Sequence, residues 1–246
     1  MKSVLITGAN RSIGLETAKQ LSKEGLFVYM GTRDLAKGEA VVKELLENGY
    51  ENLKAIEIDV TKVDTINAAK NIIENEQGKL DILINNAGII GTTPQQSASD
   101  NTVEEIQKVF DTNFFGVISV TQAFLDLLKK SDSPRISNIT SGLGSSTLHS
   151  DPLWKYYPFK TASYGPSKAA LNSYTIVLAY ELKDLPFKVN VIDPGYTATD
   201  FNHHSGPGTV ESAASFIIKH TLTGDEAPTG KFFSNDITDG TEVSPW

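Results

Sequence analysis

The stretch YYPFKTASYGPSK, residues 156–168, contains Tyr-x-x-x-Lys twice, as Tyr156 with Lys160 and Tyr164 with Lys168. A phenol ordinarily titrates at about 10, and an ammonium beside it favours the phenolate, bringing the hydroxyl toward a proton affinity useful near neutrality. Residues four apart share a face only where the backbone between them is helical. Pro158 breaks the first pair, because it removes an amide donor and pushes Tyr157 out of helical angles. The second pair opens YGPSKAALNSYTIVLAYEL, where Pro166 suits a first turn and apolar residues recur at helical spacing through Leu182. Tyr164 and Lys168 are therefore the candidate proton-transfer pair, and Tyr156 and Lys160 are assigned to loop packing or substrate contact. Taken alone, a tyrosine and a lysine one turn apart are more often a packed ring beside a solvated charge. The rest of the chain has to decide.

Short β-rich runs alternate with amphipathic helical stretches. Strands are expected at 4–7, 26–31, 53–59, 80–85, 135–140 and 187–193, and helices near 13–24, 35–48, 62–77, 101–130 and 164–183. This alternation predicts right-handed βαβ units and a parallel sheet, with helices on both faces, and the nearly continuous apolar strand centres fit burial on both sides. The expected fold is a single-domain α/β Rossmann fold over 1–246, a doubly wound parallel sheet of about seven strands. A substrate loop is expected at about 142–163 and a substrate-side segment at about 196–210. In such sheets ligands bind at the C-terminal strand ends, near the point where strand order reverses.

Composition narrows the function. The 246 residues are 39% hydrophobic and 21% charged, as in a soluble globular chain, and the formal charge of −8 offers no basic face to nucleic acid. With no cysteine, disulfides, thiolate catalysis and thiolate metal sites are excluded, which fits a reducing cytoplasm. No apolar run reaches the length of about 18 residues that a membrane span needs, so no membrane association is expected. The four histidines are scattered apart from the adjacent His203 and His204, and no metal site is indicated.

Polar and glycine residues fall at the strand ends. TGANRSIG, residues 7–14, follows the first strand and opens a helix: Gly8 and Gly14 relieve crowding, and the helix N-terminus offers free amides to a pyrophosphate. Its spacing is G-x-x-x-S-x-G, with Ser12 where a middle glycine is more usual. An acid ending the second strand would select NAD(H) through the ribose hydroxyls. Thr32 stands there instead, with Arg33 next and Arg11 in the first loop. Two cations favour NADP(H), while NAD(H) stays possible through Asp34 if the register is two residues off. Asp59 and Val60 follow the third strand, NNAG (85–88) the fourth, Ser141 the fifth and DPGYTATD (193–200) the sixth.

With Asn113 in TNFFG and the Tyr164/Lys168 pair, this ordered set resembles the short-chain dehydrogenase/reductase family, its carbonyl-reductase-like members in particular, over essentially the full chain. The resemblance implies NAD(P)H-dependent reduction of ketones or aldehydes to alcohols, reversibly. It casts Tyr164 as general acid, Lys168 as the group that holds the nicotinamide ribose and lowers the phenol's pKa, Ser141 as hydrogen-bond donor to the carbonyl oxygen, and Asn113 as holder of a relay water. It also implies cofactor contacts from Gly8, Asn10, Arg11, Ser12, Ile13, Gly14, Arg33, Asp59, Val60, Asn86, Ala87, Gly88, Pro194, Gly195, Thr197 and Thr199. A 3-oxoacyl thioester reductase and a non-catalytic dinucleotide sensor are the alternatives, the sensor disfavoured because it has no use for proton-transfer groups.

The interval between Ser141 and Tyr164 is expected to supply a substrate wall. Leu143, Leu148, Trp154, Tyr156, Tyr157 and Phe159 are the candidates, with Phe201 opposite, although these aromatics serve equally to hold the loop down. The short intervals suggest an open pocket for varied small ketones. Family likeness further implies a homodimer or homotetramer built on the helices that carry Asn113 and Tyr164.

Overall fold

The computed structural model describes residues 1–91 and 97–246. Seven parallel strands form one sheet in the order β3-β2-β1-β4-β5-β6-β7. They are β1 (Ser3–Ile6), β2 (Phe27–Thr32), β3 (Leu53–Glu57), β4 (Ile82–Asn85), β5 (Arg135–Ile139), β6 (Lys188–Asp193) and β7 (Phe232–Ser234). Strand order reverses between β1 and β4, where a doubly wound sheet opens its crevice. The expected α/β Rossmann architecture is the one observed.

Helices α1 (Ser12–Lys23), α2 (Leu35–Glu47) and α3 (Val63–Gln77) follow the first three strands. The expected helix over 101–130 is three pieces: α4 (Val103–Phe110), a π-helical stretch (Asp111–Phe115) and α5 (Gly116–Leu128). The wide turn falls on TNFFG, and such π turns recur at functional sites. A short helix, α6 (Ser146–Ser150), precedes α7 (Tyr164–Glu181), and α8 (Val210–Thr221) follows β6. Neither α6 nor α8 was expected from the sequence.

Strand alternation sends successive side chains to opposite faces, and each face is covered. Leu5, Tyr29, Leu83, Ile136 and Val189 pack under α3, α5 and α7, in a cluster with Ile66, Ile73, Phe124 and Leu178. Val4, Ile6, Val28, Met30, Ile82 and Ile192 pack under α1, α2 and α8, with Ala18, Leu21, Val42 and Ile217. The groups that form the cleft lie beyond this apolar packing, at the C-terminal strand ends.

At the reversal point the ends of β1 and β4 are laced together. The Thr7 hydroxyl accepts the Asn86 and Ala87 amides, each at 3.0 Å, and the Asn86 side chain donates to the Thr7 and Gly8 carbonyls at 2.9 and 3.1 Å. The start of α1 presses against this knot: a Cβ on Gly14 would lie 2.5 Å from both the Asn86 side-chain nitrogen and the Gly8 carbonyl oxygen. Gly14→Ala is therefore expected to destabilise the fold by about 1–3 kcal/mol through forced displacement of backbone. Gly224→Ala, with nothing within 4 Å of the added carbon, should be nearly neutral, and chemical denaturation of both variants checks the contrast.

Candidate active site

A cleft of about 310 Å³ runs along the C-terminal strand ends. Gly8, Asn10, Arg11, Ser12, Ile13 and Gly14 line one end, Arg33, Asp59 and Val60 the adjoining edge, and Asn86, Ala87 and Gly88 its middle. Ser141, Leu143, Tyr164, Lys168, Pro194, Thr197, Thr199 and Phe201 line the other end. The cleft also takes in residues that the sequence reading passed over: Ile58, Thr61, Ile89, Ile90, Thr112, Ile139, Thr140, Tyr196 and Asn202. Most of these sit one or two positions from a residue already singled out, so extending each motif along the same strand end would have found them.

The phosphate end fits a dinucleotide. Arg11, the residue before α1, makes no side-chain cap, and α1 has no acid in its first turn. The first amides and the positive end of the helix dipole are thus left to an anion. Ser12 takes the left-handed φ of 51°, a conformation easiest for glycine, which accounts for the glycine usual at that position. Asp34 caps α2, accepting the Lys37 amide at 3.1 Å and pairing with the Lys37 ammonium at 3.2 Å. It does not line the cleft. Arg33 lines the cleft with Arg11.

The reacting end is built where α7 crosses the loop after β5. That crossing is close on both sides: a Cβ on Gly144 would stand 2.9 Å from the Lys168 carbonyl carbon, and one on Gly165 would stand 3.0 Å from the Leu143 carbonyl oxygen. A buried polar chain fixes the approach, with Thr140 donating to Asn172 at 2.6 Å and Asn172 donating to the Gly144 carbonyl at 3.1 Å. Ser141, Tyr164 and Lys168 are brought to one wall in this way. The Ser141 oxygen accepts the Leu143 amide at 3.2 Å, which leaves its proton to donate.

Lys168 is 4% exposed, and its ammonium donates to the Ile139 carbonyl at 2.8 Å. Burial pulls it down to about 8, against the opposing charge of Asp193. The ammonium stands 5.8 Å from the Tyr164 ring centre. The expectation that Lys168 lowers the phenol's pKa needs correcting for the protein alone. Burial, and secondarily Asp193, push the Tyr164 phenol well above its ordinary value, and only the Ser141 hydroxyl pulls it back. A phenol so placed stays protonated at neutral pH, ready to donate.

Asn113 does not line the cleft. It is fully buried on the π-helical stretch and clamps the strand of backbone beyond β4: its oxygen accepts the Ile89 amide at 2.8 Å, and its nitrogen donates to the Ile89 carbonyl at 2.8 Å and to the Ser167 hydroxyl at 3.1 Å. Both side-chain N–H donors are taken, and these bonds hold Ile89 against α7. Gly195 also lies outside the cleft, making the left-handed turn (φ 81°) that lets Pro194 and Tyr196 face it.

A second, larger cavity of about 580 Å³ adjoins the first, sharing Ile90, Ser141, Leu143, Tyr196, Phe201 and Asn202. Tyr156, Pro158, Phe159, Asp193 and Asp236 complete much of its wall. Phe201 meets Tyr164 edge-on at 5.5 Å. Of the expected substrate residues, Leu148, Trp154 and Tyr157 do not line it. Trp154 stands behind, 5.4 Å from the Tyr156 ring, and Tyr157 lies under the Lys160 ammonium. An irregular loop has no periodicity from which to read the inward side. Asp236, remote in sequence, binds Lys155 at 3.0 Å and the Tyr156 hydroxyl at 3.4 Å, fastening the substrate loop to the segment after β7.

A sequence model of the short chain dehydrogenase family matches residues 2–209. Salutaridine reductase of Papaver bracteatum is 31% identical over 95% of this chain and 94% of its own, and (-)-isopiperitenone reductase of Mentha piperita is 30% identical over 94% and 96%. Those alignments run to 295 and 306 positions against 246 residues here, so the relatives carry insertions that this chain lacks. The solved structure of NADPH-bound carbonyl reductase from chicken fatty liver superposes with a TM-score of 0.85 at 27% identity, covering 100% of this chain and 99% of that one.

Replacing Asn113 by Ala should leave the Ile89 amide and carbonyl without their partner and reduce unfolding free energy by about 1–3 kcal/mol. Urea denaturation of the variant measures it, and an unchanged midpoint would refute the clamp.

Proposed function

Because the chain belongs to the short-chain dehydrogenase family, we propose that it is a carbonyl reductase that uses NADPH to convert small ketones and aldehydes to alcohols, and in reverse oxidises those alcohols. The observation that carries this is the meeting of Ser141, Tyr164 and Lys168 on one wall, where a dinucleotide-shaped cleft opens into an apolar cavity. Dihydronicotinamide bound at that end supplies the hydride. The substrate carbonyl lies in the larger cavity with its oxygen toward Tyr164 and Ser141. Ser141 donates a hydrogen bond to that oxygen, stabilising charge as it develops, and Tyr164 gives it a proton. Lys168 spends one of its three N–H donors on Ile139, leaving two for the ribose hydroxyls.

Arg11 and Arg33 in the cleft, with Asp34 occupied as a cap, support NADPH over NADH. The wide second cavity and the absence of the relatives' insertions support varied substrates of modest size. Phe115, Ile176, Val177 and Tyr180 are exposed apolar residues on the π-helical stretch and α7, which supports pairing of two or more copies through that face. A cytoplasmic setting suits a cysteine-free chain, and no described helix is long and apolar enough to cross a membrane.

The decisive comparison is Tyr164→Phe against Tyr156→Phe, followed as loss of NADPH absorbance with an aryl ketone. Loss of the general acid should lower turnover by about 10²–10⁴-fold while NADPH affinity is preserved. Tyr156→Phe should retain most of the rate. The reverse ranking would overturn the assignment, and no consumption of NADPH with any aryl ketone, diketone or acetoacetyl thioester would favour a sensor.

A further inference from the structure

Asp193 ends β6 and is 3% exposed. Pairing with β7 sets it opposite Ser234, and pairing with β5 sets the preceding Ile192 opposite Ile139, whose carbonyl holds Lys168. One carboxylate oxygen accepts the Ser234 hydroxyl at 2.7 Å, and the other accepts the Gly195 amide at 3.0 Å. The Gly142 amide, next to Ser141, also donates to it. Gly142 is wedged there: an added Cβ would lie 3.4 Å from the carboxylate and 3.1 Å from the Trp154 ring.

Asp193 thus ties together three strand ends, those of β5, β6 and β7. All three partners donate, which suits a carboxylate, yet a buried carboxylate without a paired cation is unfavourable for folding. Among the described residues Asp193 forms no ion pair, its side-chain partners being hydroxyl and amide groups. The charged and titratable groups that face it are Tyr164 and Lys168 from α7, Asp236 beyond β7, and Tyr156 of the substrate loop; Lys155 of that loop is paired with Asp236.

We infer that Asp193 is a positioning residue for the proposed reduction, tying the Ser141 loop to the ends of β6 and β7 and setting a buried negative charge that faces the Lys168 ammonium. The inference rests on the proposed reading of that site. Burial and the neighbouring Asp236 hold Asp193 itself up to about 6, so the charge is present at neutral pH. It opposes phenolate formation at Tyr164 and opposes loss of the proton from buried Lys168. Keeping the ammonium charged preserves its N–H donors for the coenzyme, while on Tyr164 the same charge makes the phenol a weaker acid.

The test replaces Asp193 by Asn, which keeps the shape and removes the charge, and follows the Lys168 ε-carbon by carbon-13 NMR as pH is raised. The signal is assigned by its absence from Lys168→Met. The Lys168 midpoint should fall by about half a pH unit or more, and the alkaline limb of ketone reduction should move to lower pH with it. Asp193→Ser removes the same charge with a smaller polar side chain, should move the Lys168 midpoint the same way, and decides the matter if Asp193→Asn does not fold. A Lys168 midpoint that stays put or rises in the folded variants would overturn the inference. Absence of ketone reduction by the unmodified protein would instead count against the proposed function, with the NMR titration still deciding the role of Asp193.

Discussion

A lysine ammonium, 4% exposed and hydrogen-bonded to the Ile139 carbonyl, is the constraint around which the reacting end is arranged. Burial holds Lys168 at about 8, below the ordinary 10.5. Between those values the unfolded chain binds more protons than the folded one, so stability rises with pH across that window. Below about 8 the full penalty is present. A fold that needed only packing would place a methionine or leucine here. The cation is tolerated because α7 is pinned on every side: Asn172 bonds Thr140 and Gly144, Ser167 takes a bond from Asn113, and Thr175 takes one from Asn138.

The same logic extends across the sheet. Apolar clusters on both faces supply the stability, and the polar groups that build the cleft sit at the C-terminal strand ends. There each is fixed by a specific partner: Asn86 by Thr7, Ile89 by Asn113, Asp193 by Ser234 and Gly195. A rigid sheet with polar ends gives pre-formed donors, and pre-formed donors are what stabilise developing charge without reorganisation.

Much of this was legible in the sequence, for a physical reason. Parallel strands buried on both faces are apolar runs, so a polar residue or glycine that ends one stands out, as Ser141, Asn86 and Asp59 do. The Tyr164/Lys168 pair was legible because helix geometry forbids its rival around Pro158. What depended on three-dimensional surroundings was not legible. The direction of the Tyr164 shift follows from burial and from Asp193, which no spacing rule reports. Asp34 proved to be a helix cap, which its place before α2 permitted but did not dictate. Leu148, Trp154 and Tyr157 face away from the cavity in a loop without periodicity, and Asp236 reaches that loop from about 80 residues away.

The central claim is that Lys168 is present for chemistry and against stability. Its most direct test is the Lys168→Met protein, assayed for NADPH-dependent reduction of an aryl ketone alongside its unfolding free energy at pH 7. The account predicts a protein at least as stable as its parent whose turnover falls by about 10²-fold or more. A variant that loses several kcal/mol of stability, or one that folds and still reduces the ketone at the parent rate, would contradict it.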